Sequence, residues 1–153
     1  EGFDPVLSAH ARRTYHDEAV NQDGLEDYVE RLRAAEGLVV QFPTWCFGPP
    51  AMLKGFFDRL FMPGVTFDIS DPANVRPTLQ NIKKVVGVST YGRPRSRAFL
   101  VGDPPRKIIE RYLRWFVARS ATVDYLALYH MNVAPLAKRE AFIAKVAAAM
   151  ARF

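Results

Sequence analysis

The sequence predicts an α/β domain built on an open parallel sheet with helices on both faces. Three short apolar runs, "LVVQF" (38–42), "KKVVGVST" (83–90) and "ATVDYLALY" (121–129), read as strands of a sheet buried on both sides. Stretches with apolar residues at helical spacing separate them, and strands alternating with helices are joined in parallel by crossovers. At 153 residues, 49% of them hydrophobic, the chain suffices for one domain with its own core, spanning residues 1–153.

Each element follows from local pattern. "NQDGLEDYVERLRAAEG" sets Leu25, Tyr28, Val29 and Leu32 on one helical face, with Asp23 as cap and Gly37 as stop. After the first strand comes a helix whose stripe is Met52, Leu53, Phe56, Phe57, Leu60 and Phe61, ended by Pro63 and Gly64; Lys54 and Asp58 make a surface pair on it. The second strand leads through a loop into "DPPRKIIERYLRWF". There Asp103 is placed to cap, the prolines suit a first turn, and Ile108, Ile109, Tyr112, Leu113 and Phe116 share a face. A terminal helix over 135–151 carries Leu136, Phe142, Ile143, Val146 and Met150.

Composition narrows the function. The net charge of +5 is spread over several segments with 16 acidic residues among them, so a solvated rim is favoured over a nucleic-acid surface. The nearest basic cluster, Arg93, Arg95 and Arg97 with Arg106 and Lys107, suits small anions such as nucleotide phosphates. One cysteine excludes an internal disulfide, and three scattered histidines offer no zinc-ligand spacing, so no metal is expected. No apolar run has transmembrane length and the first residues form no hydrophobic signal region, so no membrane insertion and a cytoplasmic location are expected. "GVSTY" lacks the second glycine of a hydrolase elbow, and neither a Walker loop nor G-x-G-x-x-G occurs, so the chemistry is expected from a cofactor.

Ligands of open α/β sheets sit beyond the carboxyl ends of the strands. Two loops fall there. "PTWCFG" (43–48) offers aromatic faces and backbone donors in a proline-stiffened turn, with Cys46 read as packing; "STYGRPRSR" offers hydroxyls, Gly92 and arginines. Together they suit a planar, polar-edged, anionic ligand.

"VVQFPTWCFGPPAMLKGFFDRLFMPGVTF" resembles the NAD(P)H:quinone oxidoreductase branch of the flavodoxin-like fold, the DT-diaphorase and modulator-of-drug-activity relatives. Their pattern runs as an apolar strand, F-P, aromatics, P-A-x-L-K-G-x-x-D-R, then P-G. "EGFDPVLSAHARRTYHD", "STYGRPR" and "YLALYHMN" resemble further segments of that family. The resemblance implies a homodimeric flavoprotein, with FAD or FMN, that takes hydride from NAD(P)H and passes it to a quinone or similar acceptor by a ping-pong route.

On matching positions it implies that Pro43, Thr44, Trp45, Cys46 and Phe47 run along the flavin ring. Thr90, Tyr91, Gly92 and Arg93 would contact its pyrimidine end, with Tyr91 and Gly92 in the catalytic role. Phe67 and Ile69 would line the partner subunit's pocket, and Arg95 and Arg97 the substrate side. The apolar excess of Phe56, Phe57 and Phe61 points to a two-fold interface.

The family's assisting tyrosine and histidine have no counterpart in "GRPRSRAFLVGDPP", where arginines stand instead and favour an anionic acceptor or a nicotinamide phosphate. The family's first strand, phosphate loop, helix and second strand do not precede Glu1, so the N-terminal βαβ portion is expected to be missing and these residues to come from a longer chain. A polypeptide beginning at Glu1 is expected to fold poorly and purify colourless. The alternative reading is an ancillary subunit of the potassium-efflux-associated type with little activity of its own.

Overall fold

A computed structural model describes residues 2–153; the expectation about the start at Glu1 lies outside them. Helix α1 (Ala9–Thr14) and helix α2 (Glu26–Ala34) lead into strand β1 (Gly37–Pro43) and helix α3 (Ala51–Leu60). A two-stranded antiparallel ribbon follows, β2 (Phe67–Asp68) with β3 (Arg76–Pro77). Strand β4 (Lys84–Thr90) and the short helix α4 (Arg95–Leu100) come next. One helical run then begins as α5 (Pro104–Lys107), widens to a π-helix over Ile108–Leu113 and closes as α6 (Arg114–Phe116). Strand β5 (Thr122–Leu128) and helix α7 (Leu136–Met150) complete the chain.

The sheet has the order β1-β4-β5 and is parallel throughout. Gly37 to Pro43 pair with Lys84 to Thr90, which pair in turn with Thr122 to Leu128. Its centre is β4, whose Val85, Val86 and Val88 are buried, as the apolar run requires. Side chains alternate across it. Val85 joins the larger core with α2, α3 and the π-helical turn, while Val86, Val88 and Leu126 pack against α7 through Phe142, Val146, Ala149 and Met150. Leu60, Ile82, Ile109 and Leu113 are fully buried, each contributing about 1.5–3 kcal/mol relative to exposure.

Two glycines make close approaches possible. A Cβ on Gly55 would lie 2.1 Å from the carbonyl oxygen of Pro5, so its absence lets the N-terminal segment cross α3. Phe3 then stacks edge-on against Tyr28 and packs on Phe56. A Cβ on Gly87 would lie 2.6 Å from Ile109 Cγ1 and 2.8 Å from Tyr125 Cδ2, so the Tyr125 ring lies across the strand only because Gly87 is bare.

Several expectations are corrected. β1 is expected to be buried on both faces, but among the described residues one of its faces is open, with Val39 46% exposed and Gln41 and Pro43 open to solvent. Helix α2 starts later than expected, with Leu25 rather than Asp23 at the cap position, and Gly37 begins β1 instead of ending the helix. Met52 is exposed, and so are Leu136 and Ile143 of α7, which turns the small Ala149 to the sheet. The proposed surplus of aromatics on α3 is absorbed internally. Phe57 and Phe61 are buried in a ring cluster with Tyr112 and Phe116, at centroid distances of 4.9–5.8 Å, and Phe56 packs on Phe3 and Phe57. They give no argument for a dimer interface.

Candidate functional site

The carboxyl ends of β1 and β4 are adjacent and parallel, so the loops leaving them emerge side by side. The amide of Thr44 donates to the carbonyl of Thr90 at 2.9 Å and ties the two together. Beyond Thr44 the chain closes a two-residue turn in which Trp45 and Gly48 exchange hydrogen bonds of 2.9 and 2.7 Å. Both central residues, Cys46 (φ 47°) and Phe47 (φ 57°), lie in the left-handed region. That is the demand of a type I′ hairpin turn, which is ordinarily met by Asn-Gly. Holding two ordinary side chains there costs on the order of 1–3 kcal/mol each, and strain of this kind persists where the surroundings over-determine it.

The turn presents rather than buries its aromatic surface. Trp45 is 65% exposed, Cys46 is exposed at the tip rather than packed, and Phe47 is half-buried. The amides of Cys46, Phe47 and Gly92 have no partner among the described residues, which leaves N–H donors beside the rings. Pro43 is exposed and Thr44 half-buried.

The second loop is held from below. Tyr91 donates its amide to Leu128 O and accepts from Met131 N at its carbonyl, both at 2.9 Å, which pins it to the end of β5. Its side chain is 1% exposed and turned away from the loop surface. The Tyr91 hydroxyl donates to Asp103 Oδ1 at 2.5 Å and lies 2.6 Å from the Tyr125 hydroxyl; its ring stacks on Tyr129 at 4.4 Å. The Tyr91 side chain thus anchors the loop from within. Thr90 is half-buried, while Gly92 and Arg93 are exposed.

Burial pushes the phenols of Tyr91, Tyr125 and Tyr129 upward, Tyr125 to about 12, so all three hold their protons. Asp103 occupies the cap position of α5 yet caps nothing. The two residues that follow it are prolines with no N–H to receive, and the carboxylate serves the tyrosines instead. Tyr129 donates to Asp103 Oδ2 at 3.0 Å, and Arg106 Nε lies 3.5 Å from the same oxygen. Asp103 also has a positive φ of 47°. Neither this carboxylate hub nor the turn type was found from the sequence, where "DPP" reads only as a helix start.

The remaining expected residues lie apart from the hairpin turn. Arg95 and Arg97 are exposed on α4, which replaces part of the expected loop. Phe67 lies half-buried on β2 with its ring 6.1 Å from Phe116, and Ile69 is half-buried just beyond it. A groove of about 800 Å³ between β1 and α3 is lined by Leu38, Phe42, Leu53 and Phe56. Among the described residues no group of three or more His, Cys, Asp or Glu forms a metal-ligand set, and no helix is long and apolar enough to cross a membrane.

Comparison with known proteins places this geometry. A family model described as flavodoxin-like fold matches residues 1–152. The chain is 35% identical over 63 residues to NAD(P)H dehydrogenase (quinone) 1 of Rattus norvegicus, a match covering 41% of this chain and 23% of that protein. It is 36% identical over 92 residues to an FMN-dependent NADH:quinone oxidoreductase of Sinorhizobium medicae, covering 60% of this chain and 38% of that one. The chain thus spans well under half the length of either relative. Among solved structures, Smu.1420 from Streptococcus mutans superposes with a TM-score of 0.80 at 24% identity, over 99% of this chain and 78% of that one.

Proposed function

The chain belongs to the flavodoxin-like fold family, and from that premise we propose that the paired loops hold a flavin, FMN in the first instance, in an oxidoreductase that draws on a nicotinamide nucleotide and reduces a quinone or a similar acceptor. The observation that carries this reading is the strained Cys46–Phe47 turn, which exposes Trp45 and unpartnered amides above the joined ends of two parallel strands.

The residues present fit such a ring. Trp45 supplies a flat apolar face, worth about 0.5–1.5 kcal/mol beyond simple burial when an aromatic stacks on it. The amides of Cys46, Phe47 and Gly92 supply donors for a polar edge, and hydrogen bonds to a ring that gains charge strengthen accordingly. Bound flavin supplies the two-electron chemistry; the chain's part is to bind, orient and shield. The FMN-dependent relative supports FMN over FAD. Arg93, Arg95 and Arg97, all exposed beyond Gly92, fit the phosphates of a nicotinamide nucleotide or an anionic acceptor. A homodimer with Phe67 and Ile69 facing the partner's site, a cytoplasmic location and a ping-pong order of substrates belong to the same reading.

Titrating the full-length protein, rather than a polypeptide beginning at Glu1, with FMN and with FAD, then supplying NADH or NADPH and a soluble quinone, tests it. Quenched flavin fluorescence at one-to-one stoichiometry and flavin-dependent oxidation of the nucleotide are the expected results. Failure to bind either flavin at micromolar concentration overturns the reading.

A further inference from the structure

Helix α4 turns an apolar tip outward. Ala98 is fully buried and fixes which way the helix faces, so Phe99 (80% exposed) and Leu100 (72%) stand clear of the surface, with Arg95 and Arg97 to either side of them. Val101, 48% exposed, continues the tip. Behind it opens a shallow hollow of about 570 Å³ lined by Val101, Ile108 and Tyr112, with Lys107 and Arg111 among its walls. Three consecutive large hydrophobics held in water are an unfavourable arrangement unless something covers them.

Charge decides what that is. Residues 93–115 carry seven arginines and lysines against two acidic groups. Both acids are engaged within the fold: Glu110 accepts from Arg106 at 2.7 Å, and Asp103 accepts from Tyr91 and Tyr129. Lys107 and Arg111, like Arg95 and Arg97, form no ion pair among the described residues. A second copy of the chain set on this face by a two-fold axis would bring like charges together, at a cost in free energy. A surface of anionic lipid satisfies both halves, with hydrocarbon for the tip and phosphates for the cations, whose aliphatic stems can lie along the apolar hollow.

We propose that α4 and the hollow behind it form a docking surface for an anionic lipid bilayer, in which Phe99, Leu100 and Val101 enter the interfacial layer and Lys107 and Arg111 bind lipid phosphates. The docking is peripheral; it needs no spanning helix, and none is present among the described residues. Helix α4 begins just after Gly92 and Arg93, so docking holds that loop beside the lipid, where an apolar acceptor such as a quinone dissolves. Lys107 and Arg111 lie outside the loops read as the flavin site, and the docking itself does not depend on a flavin.

Sedimentation of the full-length protein with vesicles tests this, using phosphatidylcholine alone and an equal mixture of phosphatidylcholine and phosphatidylglycerol. Binding to the mixed vesicles is expected, with release as salt is raised and little binding to the neutral ones. Lys107→Gln with Arg111→Gln is expected to weaken it about thirtyfold, and Phe99→Ser with Leu100→Ser at least about a hundredfold. All four side chains are exposed, so both double variants are expected to melt with the wild type. Failure of the wild type to bind the mixed vesicles, or binding that either double variant leaves unchanged, overturns the proposal. So does a wild-type oligomer that Phe99→Ser with Leu100→Ser dissociates, since a second copy then covers the tip.

Depth gives a separate reading. Leu100→Trp is expected to gain fluorescence quenching by brominated phosphatidylcholine in the mixed vesicles, relative to the wild type. Quenching of the added indole by aqueous iodide alone means attraction of charge without entry of the tip, and it also overturns the proposal. None of these readouts uses flavin, so they stand or fall apart from the flavin reading.

Discussion

Trp45 and Gly48 exchange both backbone hydrogen bonds across a two-residue turn whose central residues, Cys46 and Phe47, are neither asparagine nor glycine. The turn type is correct for a tight hairpin and the residue types are wrong for it. Replacing the pair with Asn-Gly is therefore expected to stabilise the fold by about 1 kcal/mol while weakening flavin binding, because relief of strain removes the Phe47 ring. Denaturant midpoints and flavin titration on the same double variant check both halves. A loss of stability contradicts the reading of strain.

Trp45→Ala separates binding from folding. Trp45 is largely exposed, so its removal is expected to leave the melting temperature nearly unchanged while weakening flavin retention about threefold to tenfold, the equivalent of about 0.5–1.5 kcal/mol of stacking. Unaltered flavin content in the purified variant would sink this assignment.

Gly87→Ala is the opposite case, a change at a buried position. The new methyl would meet Ile109 and Tyr125 from two sides, and overpacking of this kind costs about 1–3 kcal/mol. The variant is expected to melt earlier, since the ring must move. A variant as stable as the wild type would mean that the π-helical turn yields easily.

Alkaline titration reads the buried phenols together. Burial raises Tyr91, Tyr112, Tyr125 and Tyr129, with Tyr112 and Tyr125 at about 12. The unfolded phenol ionises near about 10. Groups raised on folding contribute their full stability below the unfolded value and lose it as pH climbs through the folded one. Stability is therefore expected to hold to about pH 10 and then fall, with tyrosinate absorbance rising in step with unfolding. A denaturant midpoint that stays flat above about pH 10 would contradict the burial of these rings.

The exposed flank of β1 gives a further expectation. Among the described residues the flank of β1 away from β4, at Leu38, Val39 and Val40, pairs with no strand, and such a flank is a template for pairing with other chains. A polypeptide of these residues is expected to self-associate at micromolar concentration, and Val39→Lys to reduce that association without lowering the melting temperature. Sedimentation of the two proteins compares them directly. Equal behaviour would show that the edge is not where chains meet.

The strands were legible because β4 carries its burial in its own residues: Val85, Val86 and Val88 have no other place to go. The cover over each strand was not. "LVVQF" has the composition of a strand buried on both faces, and nothing local to those residues says that Val39 and Gln41 are open to solvent among the described residues. The face of α7 was misjudged for a related reason. An alanine-rich helix can approach the sheet through its small side chains, leaving Leu136 and Ile143 outside. At the candidate site the aromatic turn stood out by composition, but its backbone conformation did not, since Cys-Phe carries no turn signal. The carboxylate hub was invisible. Tyr91, Asp103, Tyr125 and Tyr129 share no spacing, and only the fold brings them together.

That register also sets a timetable. Every pairing in the sheet is between segments far apart in sequence, Gly37 with Lys84 and Lys84 with Thr122, and none is a hairpin. Loop-closure entropy must be met before such contacts return anything, and chains of this topology fold slowly compared with helical bundles of equal length. The helices can form early, but the end of β4 acquires neighbours on both sides only when the sheet closes. The loops that depend on it, and whatever they bind, are therefore among the last parts of the molecule to take shape during folding.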